Sequence, residues 1–368
     1  MKNFITNARK TSFHISKRSK SALPTWKAWT IRIVSVIISL VVCSLIIVLL
    51  TGQNPLEVYS AMIKGSFGSE RKFLVLIQNT AILLGISLAV TPAFKMKFWN
   101  LGAEGQVLIG GLCCMVLMFK IGDKLPNSVL IITMLISSIL GGIAWGLIPA
   151  IFKAKWNTNE SLFTLMMNYI AIQLVSFAIM VWVPSGSSVM GLVNASSRAG
   201  WLPDLFGKKY IINIITVAVL TAVMYVYLKY SKHGYEISVV GESENTAKYI
   251  GINVKKVILR TMIFSGALCG LVGFLLVAGT NHTISKELAG GNGFTAIMVS
   301  WLAKFNPITM VLTSFLIAFL QKGAGEIATS FNLNTSIAEI LTGIIIFFII
   351  GSEFFINYEI KKTKKEAD

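Results

Sequence analysis

The sequence predicts an all-α polytopic membrane protein, and three observations carry that prediction. Apolar runs free of charge recur along the whole 368-residue chain, and 54% of its residues are hydrophobic. Charged residues make up 13%, half of the roughly 25% usual in a soluble domain. The mean hydropathy is +0.72. A net charge of +17 first suggests nucleic acid, but nucleic-acid binders spread their cations over a polar surface. Here the cations lie between apolar runs too long for soluble helices. The four cysteines, Cys43, Cys113, Cys114 and Cys269, sit inside apolar stretches with no CxxC pair, which argues against a disulfide framework or a zinc site. His14, His233 and His282 are far apart in sequence, so no metal or other cofactor is expected.

In chain order, the uncharged runs are 33–50, 73–94, 105–119, 125–152, 161–183, 210–228 and 261–279, followed by shorter pieces at 294–303 and 305–321 and a last run at 337–356. A helix crosses a ~30 Å hydrocarbon core with roughly 20 residues, so the long runs read as spans. Segments 105–119 and 294–303 are short for that purpose. Each follows a glycine-rich stretch, Gly102–Gly105 and Gly290–Gly293, which predicts broken or re-entrant helices whose backbone is sheltered by protein or water. The expectation is about ten transmembrane or re-entrant helices. Run 73–94 with its glycine break is echoed by run 261–279 with its own, the pattern of an inverted repeat.

Lysine and arginine set the expected orientation. Residues 1–32 hold eight cations and no acid, and the first apolar run lacks a cleavage site, so it reads as a retained helix rather than a signal peptide. With ten passages starting inside, 23 of the 33 Lys and Arg fall on the cytoplasmic side, which is the positive-inside pattern for N-in, C-in. The domain reading is a basic cytoplasmic tail at 1–32, a transmembrane domain at 33–356 with a cytoplasmic loop at 229–260, and a second basic cytoplasmic tail at 357–368.

Within that loop, Ser243-Glu244-Asn245 offers a helix start, Thr246–Tyr249 one or two turns, and Gly251 a C-cap. On physics alone it is either a docking element for a soluble partner or a solvated loop. The stretch GYEISVVGESENTAKYIGINV resembles the coupling loop of ABC-transporter permeases of the branched-chain amino acid, simple sugar and nucleoside family. Gly234, Gly241, Glu242, Ala247, Tyr249, Gly251 and Ile252 carry the match, while Ser238, Val239, Ser243 and Thr246 depart from the usual residues; the resemblance implies that Gly241, Glu242, Asn245, Ala247, Tyr249, Gly251 and Ile252 form the ATPase-coupling loop. FWNLGAEGQVLIG at Phe98–Gly110 and NESLFTLMMNYI at Asn159–Ile170 are similar to segments of the family's nucleoside-type members. GGNGFTAIMVSWLAKFNP at Gly290–Pro307 resembles a further family segment. Taken bottom-up, Glu104 sits near a helix start, where the dipole favours a carboxylate; a structural cap and a gate or pathway bend are both open. Asn168 lies on the same face as Glu160 and Thr164, a polar stripe that must avoid lipid.

Gln78, Asn79 and Thr80 interrupt the second long run, and Glu339 sits near the start of the last. The candidate pathway or gate residues are thus Asn79, Glu104, Gln106, Asn168 and Glu339. Gly142/Gly146 and Gly266/Gly270 have the spacing of close helix packing. No G-x-x-x-x-G-K-[ST] occurs, so the chain has no P-loop of its own, and nothing in the spans has the pattern of an enzyme. The resemblance implies the permease subunit of an ATP-driven importer in a bacterial plasma membrane, nucleosides being the expected cargo and simple sugars the alternative. It also implies ATPase subunits, a second and related permease chain, and an extracytoplasmic binding lipoprotein as partners. A standalone ion-coupled transporter is the reading from another class.

Overall fold

The helices follow from apolar stretches punctuated by caps and glycines, and the computed structural model describes them at residues 11–17, 24–122, 124–183, 190–332 and 334–364. Much of the basic N-terminal stretch and the last four residues lie outside the described residues. The chain forms two units, one of residues 1–65 with 320–368 and one of residues 66–319.

In the first unit, strand β1 (Thr11–Lys17) precedes helix α1 (Thr25–Thr51), which therefore begins within the stretch read as a tail. Helix α2 (Pro55–Phe67) follows and runs on into the second unit. After the second unit come α13 (Thr335–Asn357) and β2 (Tyr358–Lys364). Helix α1 packs on α13. Arg32 Nε donates to Glu353 Oε1 at 3.0 Å, and Cys43 lies against the Leu341 carbonyl. Strands β1 and β2 pair antiparallel, from Thr11 opposite Lys364 to Lys17 opposite Tyr358. This ribbon departs from the all-helical expectation, although the spanning part is all-α. Its β-branched and aromatic residues, Thr11, Phe13, Ile15, Tyr358, Ile360 and Thr363, suit a strand, and the packed helix ends bring the two segments together.

The second unit contains α3 (Glu70–Lys95), α4 (Ala103–Ile121), α5 (Asn127–Trp156), α6 (Glu160–Trp182) and α7 (Ile211–Tyr230). Two short helices follow, α8 (Lys232–Glu242) and α9 (Glu244–Tyr249). Next come α10 (Val254–Leu276), a π-helical turn at Val277–Asn281 and α11 (Asn292–Leu302). Helix α12 (Pro307–Ser330) leads back toward the first unit. Among the described residues, nine helices are long and apolar enough to cross a membrane: α1, α3 to α7, α10 with its π turn, α12 and α13.

The two short segments resolve differently. The run at 105–119 is extended at both ends by Glu104 and Lys120 into a 19-residue helix, about 28 Å long and a span in its own right. The sequence reading undercounted it because charged residues were taken as its limits. Helix α11 has 11 residues, about 16 Å, half of a hydrocarbon core. His282 sits at the end of the unit where its carbonyl accepts from Val193 N–H at 3.0 Å. Ser300 hydrogen-bonds Ser87 O of α3 at 3.0 Å, and Phe305 shares a cavity wall with Lys95 and Lys229 at the other end. Residues 282–302 therefore traverse the unit in two pieces, an irregular segment and then α11.

Helix α10 is the centre of this unit, packed on α3, α4 and α5. Its contact with α5 is backbone on backbone: a Cβ at Gly142 would overlap the Gly266 carbonyl, and one at Gly266 would come within 3.0 Å of the Gly142 carbonyl carbon. Ser138 ties three helices, its hydroxyl lying 2.8 Å from Gly110 O on α4 and 2.6 Å from Gly270 O on α10. Small residues permit this approach, and dispersion and hydrogen bonds, rather than water exclusion, hold apolar helices together in lipid. Replacing Gly142 with leucine is expected to lower stability in detergent by about 1–3 kcal/mol through overpacking, read as a fall in Tm; an unchanged Tm would contradict the close α5–α10 contact.

Candidate functional site

Two groups of residues singled out by sequence are each gathered in the second unit. The first is the loop between α7 and α10. Ser231 and Ser243 start its two helices and Asn253 starts α10, with Gly234 N–H donating to Ser231 Oγ at 2.9 Å, Thr246 N–H to Ser243 Oγ at 3.2 Å and Lys256 N–H to Asn253 Oδ1 at 3.1 Å. Each side chain satisfies an N–H that has no partner within its own helix. Helix α9 lies where the sequence placed it, and Gly251, at φ +84°, follows its end. Helix α8 is an addition; its signal was the Ser231 cap followed by Ile237 and Val240 three residues apart, both of which are buried.

The loop has an anchored face and an exposed one. Ile237, Val240 and Ala247 enter a core with Met96, Ala150 and Val257. Gly241 is buried against α3, where a Cβ would overlap the Lys95 carbonyl oxygen. Arg260 of α10 donates to Glu236 of α8 at 2.6 Å, and that hydrogen bond holds the Glu236 carboxyl below the usual carboxylate range. The ion pair is therefore intact at neutral pH, and its contribution is lost only as the pH falls through that lowered value and the carboxylate takes up a proton. On the other face Glu242, Asn245 and Gly251 are exposed, Ile252 is half-buried, and Tyr249 is 93% exposed. The loop thus has a core-facing anchor beneath an exposed aromatic.

The second group surrounds the helix breaks. Glu104, 8% exposed, lies in the first turn of α4. Its two carboxylate oxygens accept from Gly291 N–H at 2.9 Å and Gly293 N–H at 2.7 Å, at the start of α11. One carboxylate thus answers the N-termini of two half-buried helices, each carrying roughly half a positive charge. The Gly102–Gly105 and Gly290–Gly293 breaks meet at this point, and a Cβ at Gly293 would come within 2.6 Å of Glu104 N.

The neighbouring amides serve the chain leading into α4. Asn100 Oδ1 accepts from Gly102 N–H at 3.1 Å and from Gln106 Nε2 at 3.2 Å. From α6, Thr164 Oγ1 accepts from Leu101 N–H at 3.1 Å, Asn168 Oδ1 accepts from Gly105 N–H at 2.8 Å, and Asn168 Nδ2 donates to Leu101 O at 2.8 Å. Glu104, Gln106 and Asn168 are thus brought together, with Asn100 the member that sequence reasoning did not single out. Asn79 stands apart on α3, exposed between the buried Gln78 and Thr80, and Glu339 is exposed on α13 of the first unit. Among the described residues no group of three or more His, Cys, Asp or Glu could hold a metal ion.

Glu104→Ala leaves the buried Gly293 N–H without an acceptor and frees the part-buried Gly291 N–H, and a cost of about 1–3 kcal/mol for the buried group is expected. Glu104→Gln keeps one amide acceptor and is expected to lose less. Thermal unfolding in detergent measures both, and hydrogen exchange at residues 291–293 locates the loss; equal stability of all three proteins would remove the cap from this role.

The profile of a family described as branched-chain amino acid transport system / permease component matches residues 73–350. The chain is 29% identical over 343 residues to a guanosine ABC transporter permease protein of Bacillus subtilis, covering 92% of this chain and 97% of that one. It is 26% identical over 353 residues to a glucose ABC transporter permease protein of Haloferax volcanii, covering 93% and 92%. A nucleoside ABC transporter permease protein of Lactococcus lactis is 28% identical over 329 residues, covering 87% and 90%. Nine long apolar helices, a clamped loop with an exposed aromatic and this match converge: the chain belongs to the ABC transporter permease family of branched-chain amino acid transport type, and is a multi-pass membrane transport subunit rather than an enzyme.

Proposed function

We propose that the chain forms the translocation pathway of an ATP-driven nucleoside importer in a bacterial plasma membrane. The observation that carries its ATP-driven part is the loop of α8 and α9, with Tyr249 exposed above a base clamped to α3 and α10. In this reading the loop residues Gly241 to Ile252 are gripped by ATPase subunits on the cytoplasmic side. Closure of the ATPases on ATP moves the loop, and the Gly241–Lys95 contact and the Glu236–Arg260 pair pass that motion to α3 and α10. Through the glycine contacts α10 carries α5 and α4, and through Glu104 the motion reaches α11. A second, related permease chain completes the pathway, and an extracytoplasmic lipoprotein delivers cargo. Family membership supports this set of partners.

Nucleosides are favoured by NLGAEGQ and NES…NYI, which resemble nucleoside-type permeases, and by two of the relatives above. The glucose permease relative favours the simple-sugar reading. Orientation follows from the cations and from the ribbon. Pairing of β1 with β2 supports a reading in which both ends lie on one side. Counting residues 282–302 as a tenth passage beside the nine long helices, this reading is N-in and C-in, with residues 1–32 and 357–368 cytoplasmic and the spanning domain between them. Asn79, Gln106, Asn168, Glu104 and Glu339 are assigned to the pathway or its gates. The meeting of the two glycine breaks supports an inverted repeat.

Three measurements test the proposal. Tyr249→Ala, at a site that packs on nothing, is expected to change stability by no more than about 0.5 kcal/mol while abolishing nucleoside-stimulated ATP hydrolysis in the assembled complex; full stimulation would refute the coupling role. A cysteine at Asn245 is expected to react with an impermeant maleimide only in inverted vesicles, and labelling of intact cells would overturn the orientation. Binding of guanosine rather than glucose by the partner lipoprotein is expected, and the reverse would establish the sugar reading.

A further inference from the structure

At the end of the second unit away from the α8–α9 loop, the chain leaves its helical path. Helix α10 loosens into the π turn Val277–Asn281, His282 takes φ +52°, and no helix forms again until Asn292. In a membrane-spanning chain, irregular backbone is tolerated where protein buries it or where it lines a water-filled cavity, and transporters place ligand sites at interrupted helices. A cavity of about 380 Å³ opens on this break, walled by Trp201, Tyr210, Asn213, Thr280 and His282. That volume falls within the roughly 300–1,000 Å³ of small-molecule sites.

The lining has a specific chemistry. The Trp201 and His282 rings stack with centroids 3.8 Å apart and planes 5° from parallel, and the indole Nε1 donates to Val193 O at 2.9 Å, fixing a flat aromatic wall. Opposite polar demands converge on Thr280. Its hydroxyl accepts from Gln78 Nε2 at 2.7 Å and Asn213 Nδ2 at 3.1 Å, and lies 3.3 Å from Leu275 O as a donor. That uses its one proton and both lone pairs. The amide oxygens of Asn213 and Gln78, in side chains at most 1% exposed, are left without donors. Unpaired acceptors of this kind select hydroxyl or N–H groups and disfavour an anion. Arg198 and Lys209 with Asp204 add both signs of charge to the wall, which suits a dipolar neutral ligand.

We infer that this cavity is a low-affinity acceptor site for the transported nucleoside, with the planar base against the Trp201–His282 wall and a hydroxyl supplying the donor that Asn213 lacks. The ligand class rests on the nucleoside reading above; the existence of the site does not.

The test uses the full chain in lipid nanodiscs, titrated with radiolabelled guanosine and, separately, glucose. Guanosine is expected to bind, and Trp201→Ala to weaken binding by about tenfold, the size of one lost base–aromatic stack. Because Trp201→Ala also removes a packed ring, a second variant avoids that position: in Lys209→Cys, saturating guanosine is expected to slow maleimide labelling at least severalfold. Protection by glucose with none by guanosine would keep the cavity as a site and overturn its ligand class together with the nucleoside reading. Neither binding nor protection, in a chain whose assembled complex still imports guanosine, would overturn the site and leave the nucleoside reading standing.

Discussion

Every backbone N–H and C=O inside a bilayer must find a partner within the protein, and the interaction that lets this chain break two of its helices is the Glu104 carboxylate. Water cannot serve the exposed N–H groups of a helix that starts at membrane depth. Here α4 and α11 both start next to Glu104, whose oxygens accept from Gly291 and Gly293 while its charge offsets the two dipoles. The segment leading into α4 is served in the same way by Asn100, Thr164 and Asn168. Without these partners, the bend at 96–102 and the start of α11 would leave backbone N–H groups unpaired. The buried polar residues of this family member are first of all what makes its irregular backbone tolerable, and any part they play in a pathway is built on that.

The second constraint is distance. Glycines at 142, 266 and 270 bring α5 and α10 into backbone contact, and Ser138 fastens α4 to both. At the loop, Gly241 lets α8 rest directly on the Lys95 carbonyl of α3. Contacts of this kind have little slack, since densely packed interfaces shift as bodies rather than deform by degrees. A displacement of α8 would therefore bear directly on α3 through Gly241 and on α10 through Arg260. The exposed face of the loop, with Tyr249 and Asn245, bears no such packing.

Much of this was legible in the residues. Uncharged runs marked the long helices, because hydrocarbon excludes charge over a fixed thickness. Ser243 and Gly251 bounded α9, since caps and left-handed glycines carry their own local geometry. What misled the reading of 105–119 was the charge of Glu104 and Lys120, taken as limits although α4 contains both; a carboxylate sheltered by two N–H groups gives no local sign of that shelter. Helix α8, the strand pairing of residues 11–17 with 358–364, and the role of Asn100 were not foreseen, because each depends on partners remote in sequence. The Trp201–His282 stack joins residues 81 positions apart, across no motif or period.

By itself, then, the sequence determined the class of protein, the positions of most long apolar helices, the glycine breaks and the capped helix α9, because transfer out of water, helix capping and chain reversal are local in their causes. The tertiary structure alone decided that the two glycine breaks meet on one carboxylate, that α11 follows an irregular segment through the second unit, and that a cavity opens where α10 unwinds. Those outcomes hang on hydrogen bonds between segments up to 213 residues apart, and such a pairing is settled only when the whole chain has closed around it.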